Sequence, residues 1–190
     1  FLKAAEVFFL RDFVGECVAY AAVKFFLILH HFAVINRCAA VSKLNTDILA
    51  EAILDEVGKG RFRAFSAGSQ PAGQVSPSAL ELLQRHRIST EGLRSKDWNE
   101  FSAPDAPPLD FVFTVCDKAA GELCPVWPGQ PMTAHWGVED PVAAAGSPDE
   151  IQRAFSQAFM LLHRRISLFA CLPLAKLEAQ ALKRELDQIG

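Results

Sequence analysis

The sequence has only five cysteines, Cys17, Cys38, Cys116, Cys124 and Cys171, in 190 residues. That is too few, and too scattered, for the disulfide framework of a secreted protein. The expected compartment is a reducing cytoplasm, where a disulfide is catalytic or redox-sensing. Basic charge is not in excess either. With 19 Lys and Arg against 22 Asp and Glu, the net charge is -3, which carries no polyanion-binding signature, so nucleic acid is not an expected partner. None of the histidines (His30, His31, His86, His135, His163) has metal-ligand spacing. No zinc site and no cofactor is expected. Residues 1–46 lack proline and hold one glycine, Gly15. No basic segment followed by a small-residue cleavage site opens the chain, so no signal peptide is expected. Starting at Phe1 without methionine fits a fragment or a reading frame trimmed upstream. From Cys17 to Asn36 the only Lys, Arg, Asp or Glu is Lys24, which raises a membrane span as a candidate. His30 and His31 inside the run, and Arg11, Asp12 and Glu16 before it, favour a helix followed by a core strand, and membrane insertion is not expected.

What is present reads as α/β. The chain is 51% hydrophobic and 22% charged, enough to bury a core. Residues 48–57 predict a helix with Asp47 as its N-cap, apolar Ile48, Ala52, Ile53 and Val57, and Gly58 at the C-terminal glycine position. Arg61 to Ser66 predicts a short strand. Ser76-Pro77 opens a second helix presenting Leu80, Leu83 and Ile88. Residues 101–109 are proline-rich and predict a loop. The continuous apolar run Phe111 to Cys116 predicts a strand buried on both faces, and Met132 to Trp136 another short strand. Ser147-Pro148-Asp149-Glu150 is a capping box with proline at the first helical position. The following helix aligns Ile151, Phe155, Phe159, Leu162, Ile166 and Phe169. After Pro173, Leu177, Ala181, Leu182, Leu186 and Ile189 form a final amphipathic helix. Strands alternating with helices imply a parallel sheet covered on both faces, with chemistry at the carboxyl ends of the strands.

Three constellations could carry chemistry. Cys116 and Cys124 lie eight residues apart after a strand. An intact helix between them would hold them about 12 Å apart at 1.5 Å per residue, whereas a disulfide needs Cα atoms roughly 4.4–6.8 Å apart. Pairing therefore requires the segment to unwind, as a redox switch does; two unrelated thiols are the plainer reading of the spacing. Asp140 precedes Pro141 on a loop after a strand, where a carboxylate can protonate a leaving group, or simply shape a turn. Phe65-Ser-Ala-Gly-Ser69 is a tight small-residue turn.

Together, ILAEAIL, GKGRFRAFSAGSQPAGQV, LRSKDWNEF, APPLDFVFTVCDKAAGELCPVWPGQPMTAHWG and EDP, in that order, resemble bacterial arsenate reductases of the low-molecular-weight tyrosine phosphatase superfamily. The resemblance spans residues 48–190. It implies a three-layer, doubly wound parallel sheet, here with an extra apolar N-terminal segment (residues 1–33) and an extended C-terminal helical part. It implies arsenate or a phosphate-like oxyanion as substrate, held in a C-x5-R loop whose backbone N–H groups and arginine grip the anion and lower the cysteine pKa. It implies Asp140 as general acid, Cys116 as second cysteine, and Cys124 as the third, which closes a disulfide that a thioredoxin-like or glutaredoxin-like reductant opens. Val142 stands where the phosphatase branch usually has tyrosine, which favours the arsenate branch.

The loop itself departs from the pattern. Counted back from Ile48, C-x5-R-S should occupy residues 40–47, where this chain has Ala-Val-Ser-Lys-Leu-Asn-Thr-Asp. Ala40 stands at the nucleophile position and Thr46 at the arginine position. Cys38 cannot substitute without shifting the register. Residues 34–190 are thus expected to form an arsenate reductase-type domain that is inactive as written. The alternatives are a non-catalytic phosphatase-like binding module or a low-molecular-weight protein tyrosine phosphatase.

Overall fold

The computed structural model describes residues 36–42, 46–115 and 126–190, which fall within one compact unit, Val34–Gly190. Its centre is β1, Asn36–Ser42. This strand pairs in parallel with β2 (Phe62–Gly68), from Asn36 opposite Phe62 to Ser42 opposite Gly68. On its other side it pairs in parallel with β3 (Phe111–Thr114), Cys38 facing Phe111 and Val41 facing Thr114. β4 (Met132–His135) extends the sheet beyond β3, giving the order β2-β1-β3-β4.

The pleat sorts the apolar side chains to two faces. Cys38, Ala40, Phe111, Phe113 and Ala134 join the larger core with the helices. Ala39, Val112 and Ala67 join a second cluster, covered by Trp98 and Phe101 of a 3₁₀ turn, by Leu109 and by Trp127. That makes helices, sheet and a thinner outer layer, as expected of the doubly wound α/β class.

Helix α1 (Thr46–Gly58) lies against β1, β2 and the long helix α3 (Pro148–Cys171). It buries every one of its first nine residues, including Leu49, Ala50 and Leu54, because sheet and helix enclose it on both sides. A tight turn follows, with Gly60 at φ +77°, a conformation that a Cβ would strain. Helix α2 (Pro77–Arg85) buries Ala79, Leu82 and Leu83. Helix α3 begins with the anticipated capping box, Ser147 and Glu150 satisfying each other's backbone N–H groups. Its Phe169 ring sits 5.0 Å from Phe113, 5.1 Å from Phe62 and 5.3 Å from Phe111, touching both β2 and β3. The last helix, α4 (Ala179–Ile189), buries Leu182 and Leu186.

The structure corrects several boundaries. Asp47 does not cap α1 from outside; the helix starts at Thr46, and Asp47 is a buried member of its first turn. The first strand runs to Ser42, because β2 offers it partners as far as Ser42 and β3 as far as Val41. The proline-rich stretch starts with Phe101 closing a 3₁₀ turn. Among the described residues, no helix is long and apolar enough to cross a membrane. The expected N-terminal apolar segment, residues 1–33, lies outside the described residues.

Candidate functional site

In an open parallel sheet, ligands bind outside the carboxyl ends of the strands, where neighbouring connections diverge. Here that switch point lies between β1 and β3, beyond Ser42 and Thr114. Cys116 and Cys124 fall in 116–125, outside the described residues, as do residues 43–45. Val115, the residue before Cys116, is fully buried, so the chain leaves β3 from an anchored point.

Ala40 lies inside β1, in register with Ser66 of β2 and Phe113 of β3. Val41 and Ser42 continue the strand, while Thr46 and Asp47 already belong to α1. An oxyanion cradle needs successive N–H groups turned toward one point. A central strand does the opposite, directing its N–H groups alternately to the two flanking strands. Cys38 offers no replacement nucleophile. It is 1% exposed, and burial, aided by the negative charges of Asp110 and Asp55, pushes its thiol far above the ordinary range. Only the thiolate attacks.

Asp140 is placed as a turn aspartate. Its Oδ1 accepts from the Val142 N–H at 2.9 Å and caps the 3₁₀ turn Pro141–Ala143. The loop carrying it is tied to β3: the Trp136 N–H donates to the Thr114 carbonyl at 2.8 Å and the Val138 N–H to the Val115 carbonyl at 2.9 Å. The strand ends that lead to Asp140 and to Cys116 are therefore hydrogen-bonded neighbours. Thr114 Oγ1 and His135 Nδ1 add a cross-strand bond of 2.8 Å. His86 stacks on Phe159 at 4.1 Å between centroids. Among the described residues, no three His, Cys, Asp or Glu side chains are grouped to hold a metal.

One cluster at this edge was not anticipated. Lys96 Nζ donates to both Glu51 oxygens, at 3.2 and 2.9 Å, and Ser66 Oγ donates to the same carboxylate. All three are under 9% exposed. Charges buried this way persist only when paired and hydrogen-bonded. The cluster ties α1 to β2 beside Ala40, and the Gly68 N–H donates to the Lys96 carbonyl at 2.9 Å. A signal existed in ILAEAIL, where Glu51 sits three residues after Ile48 and three before Leu54 in a stretch that is otherwise apolar. A carboxylate on such a face demands a buried partner.

Among the described residues, an apolar void of about 10 Å³ lies under β1, lined by Cys38, Ala40, Leu54, Phe113, Trp136 and Phe169. It is a packing gap in the core and has no room for a substrate.

Comparison with known proteins agrees with this geometry. The arsenate reductase of Oceanobacillus iheyensis is 31% identical over 106 residues, covering 56% of this chain and 73% of that protein. That of Shouchella clausii is 38% identical over 109 residues, covering 57% and 75%. A solved structure described as an arsenate reductase in oxidized state shares the fold, with a TM-score of 0.54 at 24% identity over 70% of this chain and 98% of that one. The low molecular weight phosphotyrosine protein phosphatase family matches residues 38–187, from within β1 into the last turn of α4, and this chain belongs to that family.

Proposed function

We propose that this chain is an arsenate reductase-type domain, bounded at residues 34–190, that does not reduce arsenate as it stands. The observation that carries the reading is the placement of Ala40 within β1 and of Thr46 in α1, where a thiolate and a guanidinium would have to converge on the anion. The rest of the machinery stays in place by position in the sequence: Asp140 as proton donor, and Cys116 and Cys124 as the pair that a thioredoxin-like or glutaredoxin-like reductant would reopen in the cytoplasm. The curated relatives being arsenate reductases, together with Val142 after Pro141, supports the arsenate branch over the phosphatase branch.

The test is a reductant-coupled assay at high protein concentration, following arsenate-dependent NADPH consumption. The chain is expected to match its Cys116→Ser control. Replacing residues 40–47 by Cys-Thr-Gly-Asn-Ser-Ala-Arg-Ser is expected to give activity, whereas Ala40→Cys alone is not. A lone thiol held in the ladder lacks the arginine and the converging N–H groups, and groups that act as a unit give non-additive losses. Turnover by the unaltered chain above the control would mean that another nucleophile operates.

A further inference from the structure

The turn His135-Trp136-Gly137-Val138 leads from the end of β4 to Asp140. It is held from three directions. Its backbone donates to Thr114 of β3 and to Val115 just beyond it. The Trp136 indole Nε1–H donates to the Leu186 carbonyl of α4 at 2.9 Å. From α3, Arg165 reaches across: one guanidinium nitrogen donates to the Trp136 carbonyl at 3.0 Å and to the Gly137 carbonyl at 2.9 Å, and the other donates to the Gly190 carbonyl. Two successive turn carbonyls and one carbonyl following α4 thus share a single cation.

Such a convergence is expensive to assemble for stability alone. Arg165 is half-buried, Trp136 is 1% exposed, and the carbonyls turned toward the guanidinium are not used in the β3–β4 ladder. Arginine suits the task because its planar fork offers several donors in fixed directions. Hydrogen bonds from a charged donor are also stronger than neutral ones.

We propose that Arg165, backed by α4, is a positioning residue that sets the path of the turn carrying Asp140, and with it the direction of the Asp140 carboxyl group. The proposal rests on the reading of Asp140 as the site's acid. The geometry connects the two through a short chain of bonds. Arg165 fixes the carbonyls of Trp136 and Gly137; the Val138 N–H is then presented to Val115; two residues on, Asp140 Oδ1 accepts from the Val142 N–H. Gly137 has no side chain of its own to restrain the turn.

Amide hydrogen exchange of the unaltered protein and of Arg165→Met tests this, since methionine keeps much of the apolar stem and removes every donor. Exchange at Val138 and Val142 is expected to accelerate by at least about tenfold, as the loss of charged hydrogen bonds implies. Ile53 in α1 and Leu83 in α2 should keep their rates. Arg165→Lys should recover part of the protection, because an ammonium can serve one or two of the three carbonyls. Trp136→Phe, which loses the indole donor and some ring volume while leaving Arg165 in place, gives an independent second variant with a smaller effect of the same pattern. If Val138 and Val142 keep their rates in Arg165→Met, or accelerate only in step with Ile53 and Leu83, Arg165 merely contributes to global stability and the proposal is overturned. In the protein with the rebuilt loop, Arg165→Met should lower kcat with little change in KM. Should that rebuilt protein prove inactive with Arg165 intact, the functional reading has failed, while the exchange data still decide the role of Arg165.

Discussion

Cys38 lies two residues before Ala40, which stands at the family's nucleophile position, yet its surroundings make it inert. Parallel pairing on both sides of β1 places it opposite Ala64 and Phe111. The pleat points it into the helical core, where burial and the negative charges of Asp110 and Asp55 disfavour a thiolate. This has a measurable pH signature. The folded thiol ionises far above the ordinary value of 9.0, so at alkaline pH the native state keeps a proton that the unfolded chain releases. The contribution to stability is complete below that value and is lost as pH rises past it. Urea midpoints measured between about pH 8 and pH 10.5 should fall more steeply for the unaltered protein than for Cys38→Ala. Iodoacetamide should leave Cys38 unlabelled in the native protein and label it after denaturation. Rapid native labelling at neutral pH would mean that the strand opens or that the register is wrong.

Between residues and fold stand the elements, and here the sequence was uneven as a guide. The helix α3 was legible from its capping box and from six apolar residues at helical spacing, five of which are buried. The strands β3 and β4 were legible from short apolar runs. The first strand was harder, because Asn36 to Ser42 holds small and polar residues that signal neither helix nor strand. What makes it a strand is pairing with partners distant in sequence, which no local pattern records. The same reason hid the Glu51–Lys96–Ser66 cluster: its members lie on α1, β2 and the turn before Trp98, and only the folded sheet brings them together. That cluster predicts strong coupling between elements. Lys96→Met should destabilise the domain by roughly 3–5 kcal/mol, because it strands a buried carboxylate. Adding Glu51→Gln should return much of the loss. Urea unfolding of the two single variants and the double variant would show it; additive losses would mean that the pair does not share one buried environment.

At the scale of the whole molecule, the fold class followed from strands alternating with helices, and the order β2-β1-β3-β4 fixes where a ligand could be met. Of the proposed site, Asp140 and the Cys116–Cys124 spacing can be read from the chain, whereas the consequence of having Ala40 depends on how far β1 extends. This central strand also dictates where the domain can be cut. Removing residues 1–33 leaves β1 whole, with both of its ladders. Removing residues 1–42 deletes the strand to which β2 and β3 are both paired, and with it Cys38, Ala39 and Ala40 from the two cores. β2 would then have no neighbour among the described strands, and two parallel edges would be left open, a state that favours aggregation over folding. A fragment of residues 34–190 is therefore expected to melt in a single cooperative transition, within about 4 °C of the full chain, a shift that corresponds to roughly 1 kcal/mol or less in a domain of this size. A fragment of residues 43–190 is expected to be insoluble or to lack a cooperative melt. Calorimetry and circular dichroism on the two fragments would distinguish these outcomes. A cooperative melt from the shorter fragment would show that β1 is dispensable, and then the position of Ala40 within it could no longer explain the loss of the oxyanion site.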